Sequence, residues 1–202
     1  MSRHALFRPD NQRLAVANEA ARIIQEEGLA DFRSAKAKAV ERLGLPINKT
    51  RLPSNEEIDT ALAERLRIFR GDDHSLLLTE FRRAALFVLH ALKTHHARLI
   101  GPVLSGTVTD FSTIDLHLFD DVPEAIDTTL DSLGFGPRPI QIRQQFRRGE
   151  TERFPGYRFR TQEFDFTATV FSIKHRRFAP LSPIDGKPML RAGIQEVEAL
   201  LD

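Results

Sequence analysis

The chain has 202 residues, 41% hydrophobic and 28% charged, with a formal net charge of +1; this suits one large globular domain or two small ones and excludes a global pull on polyanions. It contains no cysteine, which excludes a cysteine nucleophile, a zinc ribbon and a disulfide framework. No apolar run approaches the ~18–20 residues of a membrane span, and the opening "MSRHALFRPDNQRLAV" has neither the continuous apolar segment nor the cleavage site of a secretory signal, so no membrane is expected and the cytoplasm is the expected compartment.

Residues 11–96 read as helix. Leu14, Ala17, Ala21 and Ile24 recur at helical spacing, and Gly28 stands where a C-terminal cap belongs. Phe32, Ala35, Ala39 and Leu43 mark the face of a second helix that Gly44 ends. Pro46 and Pro53 bracket a loop, and Ser54 with Glu57 forms a capping box for a third helix with Ile58, Leu62, Leu66 and Phe69 inward. A long amphipathic helix follows, carrying Leu77, Phe81, Ala84, Ala85, Val88 and Leu92.

Past Ile100 the period changes. Strands are expected at 98–104, 113–119, 139–147, 157–163 and 164–172, where side-chain character alternates. One helix interrupts them, capped by Asp121, with Pro123 in its first turn, Ile126, Leu130 and Leu133 on one side and Gly134 at its end. A Pro-rich loop over 179–188 turns at Asp185-Gly186, and a last helix is expected over about 191–201. The expected class is α+β: a helical layer over 1–97, then a mixed, mostly antiparallel sheet with flanking helices over 98–202.

Chemistry concentrates in "RLIGPVLSGTVTDFSTIDLHLFDD". In a strand, Thr113, Asp115 and His117 project from one face while Ile114, Leu116 and Leu118 point to the core. A carboxylate on a central strand must be exposed, paired or metal-bound. The Ser105-Gly106 pair, at the end of the preceding expected strand, lets backbone N–H groups approach a phosphate. The plain structural reading of Asp115 is an exposed residue or one paired with Arg143 or Arg147.

The stretch "VLSGTVTDFSTIDLHLF" resembles the signature of the DNA polymerase β-like nucleotidyltransferases over about residues 98–172. That resemblance implies a Gly-Ser at a strand end that grips phosphates, two acidic residues one apart on the next strand, and a third carboxylate on a later strand. It implies nucleotidyl transfer from a nucleoside triphosphate to a hydroxyl of RNA, protein or a small molecule. Carried over, Ser105 and Gly106 contact the triphosphate, although their order is reversed. Asp115 matches the second acid, Thr113 replaces the first, and Asp165 in "EFDFTATVF" is the third. Asp115 and Asp165 would hold Mg2+, with Asp110 or His117 as substitutes for the missing ligand, and Arg143, Arg147 and Arg160 would neutralise phosphate charge. The alternative on the same fold is a catalytically inactive module that binds a nucleotide, RNA or a protein partner. More loosely, the whole chain, including "PLSPIDGKPMLRA", resembles a family of uncharacterised bacterial proteins, some carrying a cell-wall amino-acid-ligase name; the chain lacks the Gly-rich Lys-Thr/Ser phosphate loop that would support such a name.

Two further groups carry weaker signals. Arg143, Arg147, Arg148, Arg153, Arg158 and Arg160 fall within 18 residues, and Lys174, His175, Arg176 and Arg177 follow. If the strands over 139–147 and 157–163 are neighbours, four arginines share one surface, suited to phosphate oxygens or simply solvated. His90, His95 and His96 have poor spacing for one metal and read as helix-end histidines.

Overall fold

A computed structural model describes residues 9–29, 31–46 and 50–202. The first half of "MSRHALFRPDNQRLAV", and part of the loop expected between Pro46 and Pro53, lie outside them. The described residues are mixed α and β, with helices first and a five-stranded sheet after them. They fold as two compact units. One holds the described residues up to Ser75 together with 107–112 and 183–185; the other holds 76–106, 113–182 and 186–202.

The first unit is built on α1 (Pro9–Glu27), α2 (Phe32–Arg42) and α3 (Asn55–Phe69). Their apolar stripes meet in one core of Val16, Ala20, Ile23, Ala35, Ala39, Ile58, Leu62 and Leu66, which follows from the helical spacing of those residues. Phe69, expected inward, is exposed at the end of α3, where the Arg65 guanidinium lies over its ring. Helix starts are fixed by side chains. Asp31 accepts from the Ser34 amide at 2.8 Å. The Ser54–Glu57 box closes both ways, at 3.1 and 2.7 Å. Arg13 then clamps Glu57 from α1 at 2.6 Å. Gly28, expected as a cap, has φ of +68° and lies so close to Phe111 that a Cβ would come within 2.7 Å of its ring; both the turn and the ring demand glycine there.

The fourth helix, α4 (Gly71–Ala91), starts in the first unit and supplies most of its length to the second. The second unit's sheet comprises β1 (Arg98–Ile100), β2 (Ile114–Phe119), β3 (Arg138–Arg147), β4 (Glu150–Thr161) and β5 (Phe164–Phe171), in the order β1-β2-β5-β4-β3. Among these strands only the β2–β5 pairing is parallel. A short helix, α5 (Gly101–Ser105), follows β1, and a longer one, α6 (Pro123–Ser132), follows β2. One sheet face is a packed core. Ile114, Leu116, Leu118, Phe166, Ala168 and Val170 are at most 1% exposed on it. Phe81 of α4 meets Phe164 edge-on, and Phe135 stacks on Phe159, which stacks on Phe166. Helix α6 is tied to this side by Tyr157, whose hydroxyl donates to the Pro123 carbonyl at 3.2 Å.

The fourth strand, expected over 157–163, instead begins at Glu150 and ends at Thr161, where Gln162 and Glu163 take positive φ to turn into β5; three further points also differ from expectation. The strand expected over 98–104 stops at Ile100, and α5 takes its place. Gly101 has φ of +70° and Pro102 has no N–H to give a ladder, so extension ends there. Asp121 does not cap α6: its carboxylate accepts from the Ile173 amide, while Asp120 accepts from the Val122 amide. The last helix, α7, spans only Ile194–Glu198. Before it, Ala192 exchanges both backbone hydrogen bonds with Leu99, at 2.8 and 2.9 Å, and so extends the sheet at the β1 edge. That bridge brings Arg191 onto the second face of the sheet, over His117, Phe119 and Phe171.

Candidate functional site

The second face, open only at its Asp115–Asp165 end and covered at the other, where His117, Phe119, Thr169 and Phe171 are at most 4% exposed, carries every second residue of each strand. On β2 these are Asp115, His117 and Phe119. The register sets Ile100 of β1 and Thr167 of β5 opposite Asp115, and Arg158 of β4 opposite Thr167. Asp165 lies two residues before Thr167, so it shares the face with Asp115 on the adjoining strand, roughly 8 Å away between Cα atoms from strand spacing and rise. Arg160 is Asp165's cross-strand partner. Asp115, Asp165 and Arg160 are therefore brought to one end of one face.

The carboxylate of Asp115 is half-buried and has a narrow set of neighbours. Thr113 donates its hydroxyl to Oδ1 at 3.2 Å. A Cβ on Gly101 would come within 3.0 Å of Oδ2, so the turn after β1 closes over the other oxygen. Burial pushes the carboxyl up to about 6, and the Thr113 hydrogen bond only partly offsets this. Among the described residues no arginine pairs with it, contrary to the simplest expectation. Asp165 is exposed.

The other expected residues stand elsewhere. Ser105 and Gly106 are at the far end of α5, not at a strand end. Ser105 donates to the Pro102 carbonyl at 3.4 Å, and the open side of Gly106 faces Leu78 of α4. The strand-end glycine beside Asp115 is Gly101, followed by a proline where the resemblance implies serine. Asp110 belongs to the first unit and is ion-paired with Arg70. His117 is fully buried; its Nδ1 accepts from Arg191 Nε at 2.9 Å, so that lone pair is taken. The pleat splits the arginines. Arg158 and Arg160 project from the second face, whereas Arg143 lies opposite Arg153 on the other, and Arg147 sits past a bulge opposite Glu150. Strands β3 and β4 are neighbours as expected, but their arginines do not form one surface. His95 is no simple helix-end histidine either: it is buried and bridges Asp120 and Thr129, at 2.8 Å each.

At the opposite end of β2 lies a hollow of about 770 Å³ lined by Arg98, Lys174, Arg176, Arg177 and Arg191 with Phe119, Ile173 and Phe178. The run Lys174–Arg177 signals a basic stretch in the sequence. Nothing in the sequence signals that Arg98 and Arg191 join it, because both arrive through the β1 edge. Arg191 is held by His117 Nδ1 and the His175 carbonyl, at 2.9 Å each, and lies over the rings of Phe119 and Phe171 at 4.9 and 5.7 Å.

Among the described residues no three His, Asp or Glu side chains are grouped to hold a metal ion, and no helix is long and apolar enough to cross a membrane. No protein-family model matches the chain, and no curated protein matches it significantly.

Proposed function

We propose that this chain is a nucleotidyltransferase-like module that binds a nucleotide or RNA without transferring a nucleotidyl group. The observation that carries this reading is the surroundings of the Asp115 carboxylate: a neutral hydroxyl on one oxygen and a glycine turn pressed on the other. Magnesium takes hard, preferably charged oxygens in near-octahedral geometry, and a two-metal clamp on an in-line displacement needs several carboxylates. Asp115 and Asp165 supply two, and Thr113 brings no charge where a third is required. This donor set does not fit the two-metal arrangement. Pro102 also withdraws a backbone donor from the turn that would face a phosphate. An alternating strand in which the outward acid is kept and its partner lost retains the scaffold and gives up the electrostatic clamp on which phosphoryl transfer depends.

The test is calorimetry of the full chain with ATP in Mg2+ and in EDTA, paired with a transfer assay using α-labelled nucleotide and RNA. Nucleotide or RNA binding that is indifferent to Mg2+, with no label transferred, is the expected result. Mg2+-dependent ATP binding that Asp115→Asn abolishes, or transferred label, would overturn the reading in favour of a transferase.

A further inference from the structure

The basic hollow at the other end of β2 has a feature that an ordinary solvated patch lacks. Five cationic side chains line one cavity, and among the described residues none of them is in an ion pair. Of the carboxylates beside its lining, Asp121 accepts from the Ile173 amide, Asp120 from His95 and the Val122 amide, and Glu196, which flanks Gly193 together with Arg98, from the Gly193 amide. Like charges gathered round a concave, partly desolvated surface repel one another more strongly than in water, and a hollow of one sign concentrates the field on whatever enters. Arg191 feels this most. It is half-buried, its Nη2 has no hydrogen-bond partner among the described residues, and burial together with nearby Arg98 pulls it down to about 10. A bound polyanion would offset the repulsion.

The walls narrow the ligand class. Guanidinium forks suit the paired oxygens of phosphates. Beside them, Phe178 is 66% exposed and Ile173 43% exposed, a large apolar surface for a ring to cover. A concave site with one charged wall and one apolar wall matches a compact ligand of the same make-up. A continuous nucleic-acid strand would need a basic track leading away from the hollow, and the pleat divides the arginines of β3 and β4 between the two faces, Arg158 and Arg160 on one and Arg143 with Arg153 on the other.

We propose that this pocket binds a nucleoside diphosphate or triphosphate, with its phosphates on Arg98, Arg176, Arg177 and Arg191 and its base against Phe178 and Ile173. The inference rests on the binding reading above for its ligand class, and it moves the ligand from the Asp115 end of the strand to the Arg191 end. The phosphates need no metal there, because the protein supplies the positive charge.

The experiment is isothermal titration calorimetry of the full chain, in EDTA, with ADP, ATP, pyrophosphate and adenosine. The variants are Arg176→Gln/Arg177→Gln, both exposed and, among the described residues, without an ion pair, and Asp115→Asn. ADP and ATP are expected to bind, with affinity falling as salt rises. The double variant should bind at least about tenfold more weakly, since charge-assisted hydrogen bonds are lost. Asp115→Asn should bind as the unaltered chain does, and adenosine should bind worse than ADP. ADP affinity unchanged in the double variant overturns the inference; if Asp115→Asn weakens it instead, the binding reading survives with its ligand at the other end of β2. Failure of ADP, ATP and pyrophosphate to bind up to about 1 mM also overturns it. In that case a single-stranded RNA oligonucleotide decides the wider reading: RNA binding leaves it standing, and no RNA binding removes both.

Discussion

Asp115 and His117 stand two residues apart on one strand, point from the same face, and live in opposite electrostatic worlds. Each is withdrawn from water, and burial penalises the charged form of each. The carboxyl is accordingly pushed up to about 6 and the imidazole held well below its ordinary range, with the charge of Arg191 adding to the second effect. Their partners differ in kind. Asp115 has a threonine hydroxyl and a glycine turn, whereas His117 has an arginine that also stacks on Phe119 and Phe171. A single strand thus divides the second face into an acidic end poor in ligands for a cation and a basic end rich in donors for an anion. A strand position marks which face a group occupies; what the group can do is set by the neighbouring segments laid over it.

The contrast can be broken most severely at Phe171. Its ring is 1% exposed and contacts His117, Phe119, Phe146, Phe154 and His175 beneath Arg191. Phe171→Ala should cost about 3–5 kcal/mol in urea unfolding, the usual toll of a large cavity, and should weaken ADP binding in whatever folded protein remains. A loss under about 1 kcal/mol would mean the basic end is not built on this ring.

The pH dependence of stability sharpens the comparison next, because the two groups have opposite signs. Asp115 is raised in the folded state, so its contribution is fully present below its unfolded value of 3.8 and is lost as pH rises through about 6. Asp115→Asn removes that loss. The variant should be more stable than the unaltered chain at pH 8, by up to about 3 kcal/mol, and the gap should close towards pH 4. His117 is depressed, so the unfolded chain takes up its proton first and stability falls as pH drops below the ordinary histidine range. His117→Gln, which keeps an acceptor for Arg191, should flatten that acid limb. Urea midpoints across pH 4–8 measure both, and an Asp115→Asn variant less stable at pH 8 would show that the carboxylate has a cationic partner.

A smaller effect is expected at the turn. Gly101→Ala places a Cβ at φ of +70° and within 3.0 Å of the Asp115 carboxylate, and should cost about 1–2 kcal/mol. Combined with Asp115→Ala, the crowding part should be recovered; a strictly additive pair would separate the glycine from the carboxylate. The smallest change is Thr113→Val. It deletes the one hydroxyl bonded to Asp115, should cost about 1 kcal/mol at pH 8, and should raise the Asp115 titration further, as followed by carboxyl NMR.

Much of the architecture was legible in the residues. The α+β class, the helical stripes of α1 to α4, the Ser54–Glu57 box and the alternating directions of the β2 side chains rest on local patterns, which act within a few residues and so are written in sequence; that His117 and Phe119 are buried on the second face as well comes from the segments packed over them. That Asp115 and Asp165 share a face is a matter of register between β2 and β5, which no local pattern fixes. Ser105-Gly106 was misplaced because an apolar run followed by a small-residue turn reads as one strand; Gly101-Pro102 had already ended it. The expected arginine surface failed on parity, since a shared surface needs both a neighbouring strand and a register that only long-range pairing sets.

Chain stereochemistry and apolar spacing act locally, and they set most of the helices and strands and the direction in which each β2 side chain points. Tertiary structure alone decided what those polar groups meet. The Ala192–Leu99 bridge lays Arg191 over His117, the turn at Gly101 closes on Asp115, and Arg98 joins Lys174, Arg176 and Arg177 around one hollow. Such encounters join residues far apart along the chain, and the burial and charge they create belong to the assembled surface rather than to any one stretch of it.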